Sequence, residues 1–248
     1  MRVIADVGRD MTTTISTLNL ATAIFDENKN GGIMICGINW GGDPSDKPNP
    51  EKPSFFSDAT VNNYPYRNRL LRWFQLWGQP LQTARGEDGP FERSIVQTNW
   101  LPDQERTMHG QDIFRKCIEQ KDNFFAHVRA LRPRVILFCG STLIRVLNDP
   151  SCIEDATACL GSPDKMKLLT KNVLENGKTL KRFRIGLQRF EHCNVVAVPH
   201  PTGSKGLSDS YIAAFRSEVW SVFEDVRRAS RAQHGAPPDA ANSAARVS

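Results

Sequence analysis

The chain has 248 residues, of which 40% are hydrophobic and 24% charged, and its formal net charge is +5. This length suits one α/β domain with a substantial core, and the composition is that of an ordinary globular protein. No apolar run approaches the roughly 20 residues needed to cross a bilayer, and residues 1–10 lack the apolar centre of a secretory signal. We therefore expect a cytoplasmic protein without a membrane partner, and the positive charge favours a polyanionic one.

Hydrophobic periodicity predicts the elements of the first half of the chain. Apolar residues at helical spacing predict a first helix over 14–26, and a continuous apolar run predicts a buried strand over 33–38. Four prolines and two glycines make 41–53 a long loop. An amphipathic helix is predicted over 67–78 and a short strand over 94–100.

The second half of the chain again alternates apolar strands with helices. The predicted elements are a helix over 111–131, a strand over 135–139, a helix over 142–147, a strand over 194–198 and a helix over 211–229. Asn176-Gly177 is a dipeptide typical of a hairpin turn. Because the chain beyond 229 is rich in alanine and poor in large apolar residues, we expect one domain over 1–229 and a disordered tail over 230–248.

Buried strands that alternate with helices predict a three-layer α/β/α fold around a central, mostly parallel four-stranded sheet. In such sheets, ligands bind beyond the carboxyl ends of the strands. Three predicted strand ends carry unusual polar residues, which are Asn39, Asn99 and His200. We expect these three side chains to converge on one crevice.

Basic residues cluster between positions 165 and 189. Eight are present against a single acid, Glu175, and they are Lys165, Lys167, Lys171, Lys178, Lys181, Arg182, Arg184 and Arg189. A solvated basic face and a phosphate-contacting surface both account for such a cluster. Residues 182–187 alternate charged and apolar side chains, which predicts a half-buried strand with Arg182 and Arg184 on its open side.

The six cysteines show no spacing typical of a metal site or an iron–sulfur cluster. They are Cys36, Cys117, Cys139, Cys152, Cys159 and Cys193. Three of them lie in or beside apolar strand-like runs, so we expect reduced, buried thiols, in keeping with a reducing compartment. We expect no metal and no other cofactor.

Asn39 stands in the turn Gly37-Ile38-Asn39-Trp40-Gly41-Gly42, where the glycines would let a ligand approach the backbone closely. Asn also tolerates positive φ, so a purely conformational role is the alternative. Asn99, at the end of the next strand, could cap a turn or read a base edge, because an amide both donates and accepts.

His200 lies between Pro199 and Pro201, which stiffen its backbone and make a core role unexpected. The residues that follow, Thr202-Gly203-Ser204-Lys205-Gly206, are small or basic and suited to phosphate contact. These features predict a functional histidine next to a phosphate-contacting loop.

The order of these motifs resembles that of the uracil-DNA glycosylase superfamily, over about residues 31–225. Gly37-Ile38-Asn39-Trp40-Gly41 is similar to the first motif of the mismatch-specific uracil/thymine glycosylases, Gly-Ile-Asn-Pro-Gly, and of the single-strand-selective group, Gly-Met-Asn-Pro-Gly. His200-Pro201-Thr202-Gly203 resembles the second motif, usually His-Pro-Ser-Pro. Thr98-Asn99 resembles the strand end that bears the base-reading Asn, and residues 132–140 resemble the apolar strand between the motifs.

The resemblance implies a monofunctional DNA glycosylase, a hydrolase that flips out a base, cleaves its N-glycosidic bond and leaves an abasic site. Asn39 would hold the attacking water and His200 would donate a hydrogen bond to the base. The other implied base-binding residues are Gly37, Ile38, Asn99, Trp40, Gly41 and a stacking aromatic, Phe55 or Phe56, although both phenylalanines also suit the core. The implied DNA-binding residues are Thr202, Gly203, Ser204, Lys205, Arg182 and Arg184, in a protein expected to act as a monomer.

Two departures from the family motif bear on the base. Trp40 replaces the usual Pro, and Gly41 stands where the uracil-specific enzymes carry a Tyr that blocks a 5-methyl group. The pattern therefore favours uracil or a 5-modified pyrimidine as the excised base. Removal of bulky hypermodified bases from foreign DNA, such as phage DNA, is an alternative. The rival functions are a non-catalytic DNA-binding module and an unrelated α/β hydrolase that acts on a nucleotide or a small phosphorylated ligand.

Overall fold

A computed structural model describes residues 18–41, 54, 64–83, 88–103 and 112–233. The strands within these ranges are β1 Ile33–Gly37, β2 Ile95–Asn99, β3 Val135–Cys139, β4 Lys167–Leu169, β5 Leu174–Glu175, β6 Lys178–Thr179, β7 Ile185–Arg189 and β8 Asn194–Val198. The helices are α1 Pro65–Leu76, α2 Pro90–Arg93, α3 Ile113–Glu119, α4 Lys121–Leu131, α5 Leu143–Leu147, α6 Ile153–Leu160, α7 Asp209–Ala213 and α8 Arg216–Gln233. A 3₁₀ turn at Asp26–Asn28 precedes β1.

The fold is α/β, built around a mixed sheet of six strands in the order β2-β1-β3-β8-β7-β4. The first four strands pair in parallel, whereas β7 runs antiparallel to both β8 and β4. The four strands expected from the sequence are therefore too few, because β7 and the short, exposed β4 extend the sheet beyond β8. The carboxyl ends of the four parallel strands meet at one edge.

Helices cover both faces of the sheet because the parallel strands are buried on both sides. Met34 and Cys36 of β1 point into a core formed with α3 to α6, while Ile33 and Ile35 point into a second core formed with α1, α2, α7 and α8. This alternation gives the continuous apolar runs seen in the sequence. Helices therefore lie on both sides of the edge at which the parallel strands end.

The predicted helix over 14–26 is wrong in its described part. Leu18, Leu20 and Thr22 are buried in alternation, which is the period of a strand. Leu20 forms an antiparallel bridge with Thr98, and the backbone N–H of Ala21 donates to Gln97 O. The segment therefore lies along the outer edge of β2, and residues 14–17 lie outside the described ranges.

Two predicted long helices are each divided in two. The helix over 111–131 breaks at Gln120, whose φ of −112° and ψ of 26° separate α3 from α4. The helix over 211–229 becomes α7 and α8, and α8 continues to Gln233, four residues past the expected domain boundary. Ser230 is buried there, while 234–248, the rest of the expected tail, lies outside the described residues.

The remaining expectations concern the hairpin, the cysteines and the membrane. The hairpin at Asn176-Gly177 is confirmed, with both residues at positive φ between β5 and β6. All six cysteines are described; they are free thiols, and every one except Cys159 is buried. Within the described ranges, no helix is both long enough and apolar enough to traverse a bilayer.

Candidate functional site at the carboxyl ends of the parallel strands

Asn99, the last residue of β2, lies directly opposite Gly37, the last residue of β1. A Cβ at position 37 would lie 2.1 Å from Asn99 Oδ1, so only glycine admits the amide here. The expectation that Gly37 opens the backbone to a ligand is thus refined, because the group that approaches it is the Asn99 side chain. Asn99 is 5% exposed, yet its amide makes no hydrogen bond to a described residue. A nearly buried amide with unused bonding capacity is suited to a ligand.

The backbone of Asn99 is held rigidly by a residue that the sequence did not single out. Asn123 of α4 donates through Nδ2 to Asn99 O at 3.1 Å and to Trp100 O at 2.8 Å. Trp100 N donates in turn to Gly37 O at 2.9 Å, which extends the β1–β2 pairing past the ends of both strands. Asn123 lay in a predicted helix, and nothing in its spacing pointed to a contact with β2.

Asn39 is half-buried, two residues beyond β1. It does not have positive φ, unlike Asn30, Arg132 and Asn176. A left-handed backbone therefore does not explain the choice of Asn at this position, and the conformational alternative loses its basis. Trp40, the next residue, donates its backbone N–H to Asp103 O at 3.2 Å, and its buried indole N–H has no partner among the described residues.

His200 follows β8 at the same edge and is half-buried. Its Nδ1 accepts hydrogen bonds from the backbone N–H groups of Gly203 at 2.9 Å and Thr202 at 3.3 Å. Since Nδ1 is an acceptor, the neutral ring carries its hydrogen on Nε2, which is left as the donor. Burial lowers the pKa of His200 below its usual value, so the neutral form prevails at pH 7.

Tyr66 of α1 is a further residue of this edge that the sequence did not identify. Its ring centroid lies 5.7 Å from that of His200, at an interplanar angle of 52°. The buried hydroxyl lies beside the Cys139 thiol and makes no hydrogen bond to nitrogen or oxygen of the described residues. Burial raises the pKa of Tyr66 and raises that of Cys139 to about 12, so both groups stay protonated.

The Tyr66 ring packs against His200 too closely for a base to fit between them, because a sandwiched base needs about 3.5 Å on each side. The Tyr66 ring is therefore in direct contact with the imidazole and does not form one wall of a sandwich around a base. Pro65 at the start of α1 places Tyr66 in the first helical turn, beside the strand ends. That position after a proline is the signal that could have suggested the residue.

The other predicted base-binding residues are placed differently from one another. Ile38 packs on the end of β3, where a Cβ on Gly140 would lie 3.1 Å from Ile38 Cδ1, and it joins the core of α3 to α6. Gly41 is exposed, and no described atom would lie within 4 Å of a Cβ at that position. Phe55 and Phe56 lie outside the described residues.

The predicted DNA-binding residues fall in two segments, the loop after His200 and the chain before β7. Thr202, Gly203 and Lys205 are exposed, and Ser204 is half-buried with its backbone N–H donating to His200 O at 3.2 Å. Arg182 and Arg184 are exposed, but the predicted strand over 182–187 is displaced, because β7 begins only at Ile185. Both arginines therefore lie in the segment that leads into the sheet.

Taken together, the edge combines two amides, a neutral imidazole donor and aromatic side chains. Such groups suit an uncharged, planar ligand that presents carbonyl and N–H groups. Among the described residues, no cluster of three His, Cys, Asp or Glu side chains could hold a metal ion. The sequence matches no protein-family model and no curated protein.

Proposed function

We propose that this protein is a monofunctional DNA glycosylase with a uracil-DNA glycosylase-like fold, which excises uracil or a 5-modified pyrimidine. The target nucleotide would leave the base stack and enter the edge where the parallel strands end. Water would then add to the sugar C1′ as the N-glycosidic bond breaks, leaving an abasic site and the free base. The motif order in the sequence and the position of Asn39, Asn99 and His200 at the same edge of the sheet support this proposal.

The observation that carries the proposal is the hydrogen bonding of His200. When the glycosidic bond breaks, its electron pair moves into the base, and negative charge grows on the adjacent carbonyl oxygen. A neutral Nε2–H donor, fixed by the Gly203 and Thr202 N–H groups on Nδ1, can stabilise that charge as it develops. Because the donor is fixed before the reaction, it needs no reorganisation during bond cleavage.

Asn39 is assigned to the attacking water. An amide oxygen can accept a hydrogen bond from water and orient it, but it is not a competent base. The contribution is therefore one of positioning, and the leaving base or the solvent takes up the proton of the water. This assignment predicts modest turnover.

Asn99 is assigned to the edge of the base. Its amide is confined against Gly37 and is otherwise unpaired among the described residues, so it can donate and accept at once. A pyrimidine with adjacent carbonyl and N–H groups satisfies both functions. A ligand that leaves the nearly buried amide unpaired is disfavoured.

The surroundings of Gly41 favour tolerance of a substituent at C5 of the base. The position is exposed, and a side chain there would meet no described atom within 4 Å. Bulky 5-modified pyrimidines, as occur in foreign DNA, are thus a second candidate substrate class. Their excision would use the same residues and the same chemistry.

The direct experiment is mass spectrometry of the bases released from defined duplexes that contain uracil or a series of 5-modified pyrimidines. We expect the wild-type protein to release at least one of these bases, and Asn39→Ala and His200→Ala to bind the same duplex without releasing it. If no duplex yields an abasic site, the enzyme assignment is wrong. If the wild type, Asn39→Ala and His200→Ala all bind DNA equally well and none of them releases a base, the protein is the DNA-binding module.

A further inference from the structure

Residues 170–184, here called the arm, connect β4 to β7 and carry the β5–β6 hairpin. Leu169 pairs with Ile185, and Gly186 pairs with Ala197 near the carboxyl end of β8. The arm therefore leaves the sheet at the same edge as His200. This topology places the arm beside the candidate site.

The base of the arm is fixed by α7 and α8. The buried Tyr211 hydroxyl accepts a hydrogen bond from the Lys171 backbone N–H at 3.2 Å and donates one to Phe183 O at 2.6 Å. It therefore links the first residues of the arm to the last ones. Lys171 also forms an ion pair with Glu218 at 2.6 Å. These contacts hold the two ends of the arm together, and the hairpin lies beyond them.

The outer part of the arm is tied to the loop after His200. Lys181 Nζ donates to Lys205 O at 3.0 Å, and Ser210 Oγ donates to Glu175. Glu175, the one acid of the arm, therefore faces α7, and Lys181 links the arm to the 202–207 loop. The hairpin and that loop thus form one continuous rim.

The exposed surface of the arm is basic and includes an apolar residue. Lys178, Arg182 and Arg184 are exposed, as is Lys181, whose ammonium lies 5.1 Å from the Phe183 ring centroid. Leu174 is 70% exposed on β5, next to these cations. Long cationic side chains beside an apolar group suit phosphates with adjoining sugar or base faces.

The basic segment identified in the sequence is in fact divided between two surfaces. Arg184 immediately precedes β7 and Arg189 is its last residue, so the two lie roughly 16 Å apart at about 3.3 Å per residue. Arg189 and Lys165 lie with Asp164 and Asn194 in a groove at the amino end of β8, away from the site. Charge alone therefore does not distinguish the two groups, whereas their place on the sheet does.

We propose that the arm is a DNA-contacting element of this protein. Lys178, Arg182 and Arg184 contact phosphates flanking the nucleotide held at the strand ends, and Leu174 packs on the exposed faces of the neighbouring nucleotides. The position of the flipped nucleotide rests on the proposed glycosylase function, but the contact with the duplex does not. The cations at the opposite edge, Lys165 and Arg189, make no such contact.

The experiment compares two matched double variants of the full chain, K178A/R184A on the arm and K165A/R189A at the opposite edge. Each removes one exposed Lys and one exposed Arg. Binding of a fluorescent duplex is measured by anisotropy over a range of salt concentrations, with thermal melting as the folding control. Loss of two phosphate contacts should make the slope of log K against log[salt] shallower by about two for the arm variant alone.

Leu174→Ala tests the apolar part, because it should weaken binding without changing the salt slope. The proposal is overturned if the arm variant binds like wild type, or if both double variants lose binding equally. It is overturned as to partner if an RNA duplex of the same sequence binds more tightly than the DNA. Failure of the glycosylase assignment is separate, because it appears as absence of released base while the arm variant still loses DNA binding.

Discussion

The two halves of the sheet are built in opposite ways. In the parallel half, β1 and β3 are buried at every position, and polar side chains occur where the strands end. In the antiparallel half, β7 is mostly buried, but the outer strand β4 is largely exposed, and the neighbouring segments are rich in Lys and Arg. Under the proposed function, the first half holds groups that must be placed accurately, and the second half holds groups that act through their charge.

This difference follows from the physics of each kind of contact. A hydrogen bond to a reacting base depends on tenths of an ångström, so its donor needs a rigid support such as the bonded backbone around Asn99 and His200. A phosphate contact tolerates flexible side chains and is screened by salt. Variants in the two halves should therefore change different measurements, namely base release in one and salt-dependent binding in the other.

The largest effect is expected at His200. Removing the donor with His200→Ala should lower base release by about 10²–10³-fold, the usual loss for one donor to a developing anion. Single-turnover release measures the effect, and DNA affinity should stay close to wild type. His192→Ala is the matched control, since His192 is exposed and lies in the turn before β8. Equal losses in the two variants would contradict the assignment.

The next effect concerns the close approach of Gly37 and Asn99. Gly37→Ala would push its Cβ to 2.1 Å from Asn99 Oδ1 and displace the amide, as Asn99→Ala removes it. Each variant should lower the specificity constant for the preferred base by about 10–100-fold, the equivalent of one good base-edge contact. Because both act through the same amide, the double variant should lose little more than either single one. Additive losses would show that the two residues act separately.

The pH dependence of base release tests the role assigned to His200. Burial lowers the folded-state pKa of His200 below the usual value of about 6.5, so the ring is neutral at pH 7. Protonation at Nδ1 would break the bonds from Gly203 and Thr202, so base release should stay level from pH 7 to 8 and fall only on the acid side of the usual histidine pKa. The residual activity of His200→Ala should lack this acid limb.

The same titration should appear in stability. Burial also lowers the pKa of His127, although its hydrogen bonds to Asn123 O and Asn19 O act in the opposite direction. At low pH the unfolded chain binds protons that the folded chain does not, so the unfolding free energy should fall as pH drops through about 6.5. Thermal melting from pH 5 to 8 measures this, and a melting temperature that rises toward pH 5 would contradict the shifts.

The smallest effect is expected at the anchor of the arm. Tyr211→Phe removes the hydroxyl that joins Lys171 N and Phe183 O, at a net loss of about 1 kcal/mol. For a domain of this size, that corresponds to a fall in melting temperature of about 2–4 °C. Release of the base from saturated enzyme should hardly change, while duplex affinity should weaken modestly. If only the rate of base release fell and duplex affinity stayed the same, the separate roles assigned to the two halves of the sheet would be contradicted.

The sequence predicted the ends of β1 and β8 well because each follows an unbroken apolar run, whereas β2 reaches Asn99 through the polar Gln97 and Thr98. Asn39, Asn99 and His200 could be placed at one edge from that pattern and the rule for parallel sheets alone. The described part of the first helix was misjudged because Leu18, Leu20 and Thr22 fit a period of two only when seen against β2. Local pattern could not reveal that partner.

The supporting residues of the site could not be predicted for a related reason. Tyr66 and Asn123 act through contacts between elements distant in the chain, with His200 and with Asn99. The division of the basic segment likewise depends on the direction of β7, which a count of charges does not contain. In each case, the missing information was tertiary pairing.

Base release from a defined duplex tests the central claim most directly. Wild type, Asn39→Ala and His200→Ala would be incubated with duplexes bearing uracil or 5-modified pyrimidines, and the free bases identified by mass spectrometry. The account predicts a free pyrimidine and an abasic site with wild type, and bound but intact DNA with both variants. Intact DNA with all three proteins, or equal release by all three, would contradict it.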